Sequence, residues 1–349
     1  LCMVNRGVKE EEMEEYLKPD IEALADPHLL KDADKACDII EDTIKKNEKI
    51  RIIGDYDVDG IFSTYILVKA IRDAGGEADY DIPHRIKDGY GMNRRLVEKA
   101  ANDGVNLIVT CDNGIKALDE IKLAHELGMR IVVTDHHELG LSVADDGSIS
   151  RISPDADCVV NPHRPDETYP FSEICGAQVA EKLAEILYER RGETGGIVDE
   201  LLSMAAFAAI CDIMPLYKEN RTLVFWGLKE LLHTTNIGLS ALINEAGLQD
   251  KAITSYDIGF VLGPCFNAAG RLLDASLGVE LLLEDDKAKA KEKAVKLKEL
   301  NEERKSMTER GFESALKKIE TGDYLNDNVL VVYDESLHES LAGIVAGRL

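Results

Sequence analysis

The chain has 349 residues, 45% apolar and 31% charged, with 41 Lys and Arg against 66 Asp and Glu for a net charge of −25. That length supports one large core and part of a second, and the longest nearly apolar stretch, Leu201 to Cys211, is about half of what spans a bilayer. The acidic balance argues against a general nucleic-acid binder, which shows a basic footprint, but leaves room for a local basic groove or for an acidic site answered by metal ions.

Residues 1–49 read as helical and charged, with KEEEMEEYLK as a solvated helix face. From residue 50, short β-branched runs alternate with amphipathic stretches. A strand at IRIIG (50–54) is followed by a helix from about Ile61 to Ala74 and by EADYDI (77–82). A helix from about Asn93 to Asn102 leads to VNLIVT (105–110), and one from about Ala117 to Leu127 leads to MRIVVT (129–134). This alternation predicts an α/β fold with a mostly parallel sheet, and the consecutive apolar positions predict helices on both of its faces.

From about Glu173 the chain turns helical, through SEICGAQVAEKLAEILYERR, GIVDELLSMAAFAAICDI and NRTLVFWGLKELL. A charged stretch from Glu284 to about Ile319 has helical spacing and reads as a long connector. After the turn signal TGDYLND, a strand NVLVVYD (328–334) is expected to open a second, truncated α/β domain. The expected division is 1–283, 284–320 and 321–349. The opening Leu and the end inside an apparent helix read as a fragment of something longer. No charged-then-apolar leader is seen, so no secretory signal is expected.

Seven cysteines (Cys2, Cys37, Cys111, Cys158, Cys175, Cys211, Cys265) are scattered, odd in number and without a C-x-x-C pair. They fit reduced thiols in a cytosol better than a disulfide framework or a zinc site, with Cys111 and Cys211 as core residues.

The acids carry the functional signal. In GDYDVDG (54–60), Asp55, Asp57 and Asp59 follow the first strand directly. Asp112 follows NLIVT, Asp135, His136 and His137 follow RIVVT, and Asp212 ends the apolar helix LLSMAAFAAICD. Ligands of open parallel sheets bind beyond the carboxyl ends of the strands, so three acid-bearing loops open onto one edge. A single aspartate after a strand is ordinary loop chemistry; this set with two adjacent histidines is not. A carboxylate at Asp212 is costly to bury unless paired or ligating. Carboxylates mixed with imidazole suit Mn²⁺ or Mg²⁺, in number sufficient for two ions. Two ions about 3.5–4 Å apart form the clamp used for in-line displacement at phosphorus.

In that order, DYDVDG, CDNG, TDHH and ICDIMPL resemble the four motifs of the DHH phosphoesterase superfamily, named for the Asp-His-His found here at 135–137. Within it, IPHRIKDGYGMN (82–93), GPCFNAAGRL (263–272), NRG (5–7) and VNPHR (160–164) resemble the RecJ family of bacterial single-strand-specific 5′→3′ DNA exonucleases. LHESLAGIVAGRL, at the end, is similar to the opening of the DHH-associated domain that closes over the active site in these enzymes. The resemblance implies a DHH phosphoesterase domain through 283. The implied activity is two-metal hydrolysis of single-stranded DNA to 5′ mononucleotides, in DNA repair and recombination.

Carried over by residue, the resemblance makes Asp57, Asp59, Asp112, His136 and Asp212 ligands of two Mn²⁺ or Mg²⁺ ions, with Asp112 as the bridge and Asp55 as an additional ligand. Asp112, Asp135, His136 and His137 form the catalytic group. His137 is either a donor to the scissile phosphate or a partner of Asp135, and Asp135 orients an imidazole. Arg85 grips the 5′ phosphate, or is a plain surface arginine. Asn267 and Arg271, four apart on one helix face, point at the nucleotide or serve a capping role. His338 and Arg348 contact substrate from the associated domain. Two departures bear on strand binding without deciding its strength: Cys265 stands where family members often carry arginine, so one phosphate contact is absent, and Leu337 stands where a tryptophan often does.

The partners implied are single-stranded DNA with a 5′ end, a single-strand-binding protein and a helicase, in the cytoplasm and without a membrane. Threading one strand into a metal cleft needs a narrow basic track and not a basic whole, which eases the charge conflict. Two alternatives stand beside this reading. One is a DHH-superfamily phosphodiesterase for nanoRNA or small nucleotides, or a pyrophosphatase. The other is a non-catalytic DNA-binding scaffold, which is expected to lose metal ligands that this sequence retains.

Overall fold

The structure, a computed structural model, describes residues 3–6, 8–143, 148–193, 195–322 and 327–349. Cys2, Gly7 of the NRG motif and most of the expected turn TGDYLND lie outside the described residues.

The β-branched runs become strands β1 (Ile50–Ile53), β2 (Ala78–Asp81), β3 (Leu107–Cys111) and β4 (Arg130–Thr134). A hairpin, β5 (Gly140–Val143) and β6 (Ile149–Ile152), stands apart, and β7 (Cys158–Val160) completes a parallel sheet of order β2-β1-β3-β4-β7. Period-two alternation divides the core. Ile50, Ile52, Leu107, Val109 and Val132 join the large core, which includes residues of α2 (Ala33–Lys45) and α3 (Val58–Asp73). Ile53, Ile108, Ile131 and Val133 pack on the other face, against Leu96 and Val97 of α4 (Arg94–Asn102) and Ile121 of α5 (Leu118–Glu126). Both faces are covered, as a parallel sheet requires.

Register sets where the site falls. Ile53 pairs with Thr110 and Thr110 with Val133, so β1, β3 and β4 end at one level. The chain leaves β1 toward β2 on one side and reaches β3 on the other, which opens a crevice between β1 and β3.

Local chemistry shifts some expected boundaries. α3 begins at Val58 rather than near Ile61, because Asp57 caps it by accepting the Gly60 N–H at 3.1 Å. Asp59 therefore sits inside the first turn of a helix. The expected N-terminal helical region is continuous only over α2; before it stand short turns and α1 (Met13–Leu17). The hairpin and the three-residue β7 give too little periodicity to be foreseen.

The second half is helical: α6 (Gly176–Glu189), α7 (Gly196–Cys211), α8 (Lys218–Leu231) and α9 (Ile237–Glu245). Then α10 (Ser255–Asp257), a π-wound turn (Ile258–Leu262) and α11 (Gly263–Leu272) run on without a break. They are followed by α12 (Ser276–Leu282), the 35-residue α13 (Lys287–Thr321) and α14 (Ala342–Arg348). A narrow stripe of α13, including Ala290, Ala294, Leu297, Asn301 and Thr308, is buried, while its many charges stay in solvent.

One expectation fails. Residues 328–334 form no strand, and Val329, Val331 and Tyr333 are exposed at 74%, 77% and 76%. A β-branched run becomes a strand only against a partner's ladder, and the described residues supply none. The six described cysteines are all free, as the scattered spacing implied. Burial pushes the Cys265 thiol up to about 11. Among the described residues, no helix is long and apolar enough to cross a membrane.

Candidate metal centre and active site

Each acid reaches the crevice by a different local device. Gly60 comes so near the Asp55 backbone that a Cβ would sit 2.4 Å from the Asp55 carbonyl oxygen, which folds the first acid loop tightly over the end of β1. Asp59 points from the first turn of α3 at the N-terminus of α6, accepting Gly176 N–H at 2.6 Å and Ala177 N–H at 2.8 Å. Asp112 follows β3 with φ of +61°, a left-handed conformation that aspartate tolerates better than most residues. Asp212 ends α7.

The next residue, Asn113, ties this edge together. Its Nδ2 donates to the carbonyls of Ile53 (3.0 Å) and Cys111 (2.8 Å), and its Oδ1 accepts Met92 N–H at 3.0 Å. The GYG loop is thereby held so that Tyr90 Oη donates to the Asp112 carbonyl at 2.8 Å. In VNPHR, the buried Asn161 donates to the His137 carbonyl at 3.0 Å. These motif residues brace the loops that carry the acids and histidines.

The donor atoms fall into overlapping groups, each within 4.8 Å: Asp55, Asp57 and Asp112; Asp59, His136 and Asp212; and Asp112, His136 and His137. All six residues expected as ligands are in them, and Asp112 and His136 each belong to two. His136 Nε2 lies 3.1 Å from Asp112 Oδ1, 3.5 Å from Asp59 Oδ2 and 3.8 Å from Asp212 Oδ2. Burial holds the carboxyls of Asp55, Asp57, Asp112 and Asp212 above the usual range, and neighbouring aspartates add to it. Asp55 Oδ1 and Asp112 Oδ1 are buried and accept no hydrogen bond. Such atoms are expensive, and hard oxygens with an imidazole are the donor set that a Mn²⁺ or Mg²⁺ ion satisfies.

The two histidines are set apart by Asp135. Burial raises its carboxyl, but its hydrogen bonds more than offset this, His137 first. Oδ2 accepts Ile115 N–H at 2.9 Å, and Oδ1 accepts the His136 N–H at 2.7 Å and lies 2.8 Å from His137 Nδ1. Nδ1 of His137 is therefore the protonated nitrogen toward Asp135. Burial lowers His136, whose Nε2 faces the acids, as suits a neutral imidazole donor.

Beside Tyr56 of the first acid loop, Arg85, Arg271 and Arg304 come close enough for their charges to act on one another. The Arg85 guanidinium carbon lies 4.4 Å from the centroid of the Tyr56 ring. Arg271 Nη1 donates to the Ser340 carbonyl at 2.6 Å, and Ser340 Oγ in turn meets His338 Nδ1 at 2.8 Å. Burial lowers Arg271 to about 10, with the Arg85 and Arg304 charges adding to it. Among the described residues none of the three has a carboxylate in ion-pair contact, which in a chain of net charge −25 marks a place kept for an anion. Arg304, from α13, was not foreseen. Its one sequence signal is that neither Leu300 nor Thr308, four residues away on each side, carries an acid to pair with it.

Not every expected residue arrives. Asn267 lies half-buried one turn before Arg271, but Arg348 is turned elsewhere. Its Nη1 pairs with Glu309 at 2.9 Å and its guanidinium covers the Phe312 ring at 4.6 Å, an intramolecular partner that sequence spacing could not reveal. Tyr90 lies within the GYG motif, whose sequence alone gives this tyrosine no role.

Gly176 couples the α6 N-terminus to two acids at once, since a Cβ there would lie 2.7 Å from Asp112 Cβ and 2.9 Å from Asp59 Oδ2. Gly176→Ala is expected to cost about 1–3 kcal/mol from overpacking and to weaken Mn²⁺ binding measured by calorimetry. Unchanged metal affinity in a folded variant would separate α6 from the site.

Known proteins resemble this chain over most of its length. The family model described as DHH family, N-terminal domain, matches residues 49–210. The single-stranded-DNA-specific exonuclease RecJ of Bacillus subtilis is 37% identical over 324 residues, covering 93% of this chain and 39% of that protein. A crystal structure of exonuclease RecJ bound to manganese superposes with a TM-score of 0.80 at 31% identity, covering 91% of this chain and 77% of that one. RecJ of Thermus thermophilus in complex with Mn²⁺ matches at TM-score 0.80 and 29% identity, covering 99% of this chain and 47% of that one. The chain thus spans well under half the length of its Bacillus relative.

Proposed function

Because this chain belongs to the DHH family and is a RecJ homologue over most of its length, we propose that it is a two-metal-dependent exonuclease. It hydrolyses single-stranded DNA from the 5′ end to 5′ mononucleotides, in DNA repair and recombination. The observation that carries the reading is the convergence of Asp112 with five other metal-donor residues, beside three arginines that, among the described residues, have no carboxylate in ion-pair contact.

Asp55, Asp57, Asp59, Asp112, His136 and Asp212 would hold two Mn²⁺ or Mg²⁺ ions, with Asp112 as the carboxylate common to two of the donor groups. When bound, the ions activate water at neutral pH and neutralise charge developing on the scissile phosphate. The chain's own residues do the rest. Burial lowers His137, but its Asp135 hydrogen bond (2.8 Å) and the nearby carboxylates outweigh this and raise it, so it acts as the imidazolium. Nδ1–H stays on Asp135 and Nε2–H donates to a phosphate oxygen, a contact that strengthens as charge develops. Tyr90 Oη, 3.2 Å from the same ring, limits its tilt. Arg85, steadied on Tyr56, grips the terminal 5′ phosphate, and Arg271 with Asn267 holds the first nucleotide. His338 reaches that end through Ser340.

The proposal includes the division at 283 and 320, with 321–349 beginning the DHH-associated domain, and a cytoplasmic setting. Single-strand-binding protein and a helicase are partners that the resemblance implies.

The test compares 5′-phosphorylated with 5′-hydroxyl single strands, 3′-labelled, in Mn²⁺. The parent is expected to shorten the phosphorylated strand progressively from its 5′ end. Arg85→Ala is expected to lose most of that preference, about 10- to 150-fold for one charge-assisted contact of ~1.5–3 kcal/mol. Cleavage of dinucleotides or pyrophosphate with no shortening of strands would instead favour the small-nucleotide phosphodiesterase or pyrophosphatase reading.

A further inference from the structure

One helical run, 255–272, passes the whole site. Near its C-terminal end, Gly270 lies against the Tyr56 backbone and Arg271 joins the arginine cluster. In the middle, a Cβ on Gly263 would come 2.4 Å from Cys211 Sγ, the residue before Asp212. The π-wound turn leans on the last turn of α7, where a Cβ on Gly259 would be 3.8 Å from Ile210. Arginines, acids and the start of the run are therefore met in sequence along one axis. At about 1.5 Å per residue, the start lies roughly 10 Å beyond Gly263 and over 20 Å from Arg271.

What stands at that start is unusual for a soluble surface. Tyr256 and Phe260 are 65% and 68% exposed, four apart, with rings stacked at 4.8 Å and 25°. Ile258 and Leu262, on the opposite side of the run, are fully buried and anchor it. A capping box fixes its first turn: Thr254 Oγ1 accepts Asp257 N–H at 3.3 Å, the Asp257 carboxylate accepts Thr254 N–H at 3.0 Å, and Lys251 pairs with that carboxylate at 3.0 Å. The rings are thus held rigidly in water, which lowers the entropic cost of binding something flat. π-wound turns of this kind recur at functional sites.

We propose that Tyr256 and Phe260 form a stacking platform for bases of the single strand on the 3′ side of the scissile phosphodiester. The inference rests on the exonuclease reading above, and it follows from order and charge. With the 5′ phosphate at the arginines and the reacting phosphate at the acids, the rest of the strand continues toward the start of the run. There the nearby cation, Lys251, is committed to Asp257 at 3.0 Å and not offered to a phosphate. Aromatic faces hold bases without needing positive charge, at about 1–3 kcal/mol per base.

The test uses this chain with a 5′-phosphorylated 12-nucleotide strand and a 5′-phosphorylated dinucleotide in Mn²⁺. For the double variant Tyr256→Ala/Phe260→Ala, KM on the 12-mer is expected to rise about 5- to 150-fold. Its kcat is expected to hold, and the dinucleotide to be turned over as by the parent. The swap Tyr256→Phe/Phe260→Tyr should restore the 12-mer KM. In a second arm without metal, 2-aminopurine is moved along the strand from the 5′ end. Quenching is expected a few nucleotides in and lost in the double variant. Equal losses on both substrates would mean a folding defect, and an unchanged 12-mer KM would give the ridge to a protein partner; either overturns the platform. Should the parent shorten no strand, the exonuclease reading fails, and the 2-aminopurine arm alone decides: quenching that survives the double substitution, or never appears, overturns it.

Discussion

Asp112→Asn is expected to abolish metal-dependent hydrolysis while leaving the metal-free protein more stable than the parent. Asparagine is isosteric and tolerates the left-handed backbone at φ +61°, so the substitution removes charge with little change of shape. In the absence of metal that charge is a liability: Asp112 is buried, faces Asp59, Asp57 and Asp55, and its Oδ1 accepts no hydrogen bond. Thermal unfolding in EDTA should therefore occur at higher temperature in the variant. With Mn²⁺ the order reverses. A cation that binds only the folded parent adds about 2.7 kcal/mol at a hundredfold excess over its Kd, and most of that gain should vanish with the shared carboxylate. Losing several kcal/mol of transition-state stabilisation lowers the rate by about 10³-fold. Retained activity together with parental Mn²⁺ stabilisation would remove Asp112 from the metal set.

Lys182→Met is expected to be the most damaging substitution away from the acids. Lys182 is 3% exposed on α6, its Nζ 3.3 Å from Glu219 Oε1 on α8, 3.9 Å from Glu181 and donating to the Ala25 carbonyl at 3.0 Å. Glu219 Oε1 also accepts the Tyr169 hydroxyl at 2.7 Å, while its Oε2 has no partner. Removing the cation strands buried acids, and breaking such a pair from one side costs about 3–5 kcal/mol. Denaturant unfolding should show that loss. Lys182→Met/Glu219→Gln should recover much of it, because the uncompensated charge goes as well. A loss below about 1 kcal/mol would show that water screens the cluster. The effect reaches function because α6 is the helix whose first N–H groups hold Asp59.

The legible and illegible parts of the site divide along a physical line. Strands β1, β3 and β4 and the loops behind them were readable because burial on both faces leaves consecutive apolar residues, and each acid follows its strand directly. The same local reasoning overran at 328–334, where β-branched composition is strong but no ladder partner lies among the described residues. It missed the Asp57 cap, although that cap uses ordinary Asx chemistry, because the apolar pattern begins three residues later. Long-range partners left no trace at all: Gly176 N–H meets Asp59 from 117 positions away, Arg304 comes to Arg271 from another helix, and Glu309 pairs with Arg348.

By itself, the sequence determined which residue types follow which strands, hence the parallel sheet, the acid-bearing loops and the order of motifs that place the chain in the DHH family. Those are local properties, set by side-chain period and turn chemistry within about ten residues. The tertiary structure alone decided that Asp57, Asp59, Asp112, His136 and Asp212 meet, that Asp112 stands between two donor groups, and that three arginines and two stacked rings lie at opposite ends of one helical run. Sheet order and register bring the ends of β1, β3 and β4 to one level. Helix packing then carries α6, α7 and α13 to the same edge. Such pairings are fixed by burial across the whole core and not by neighbours in the chain.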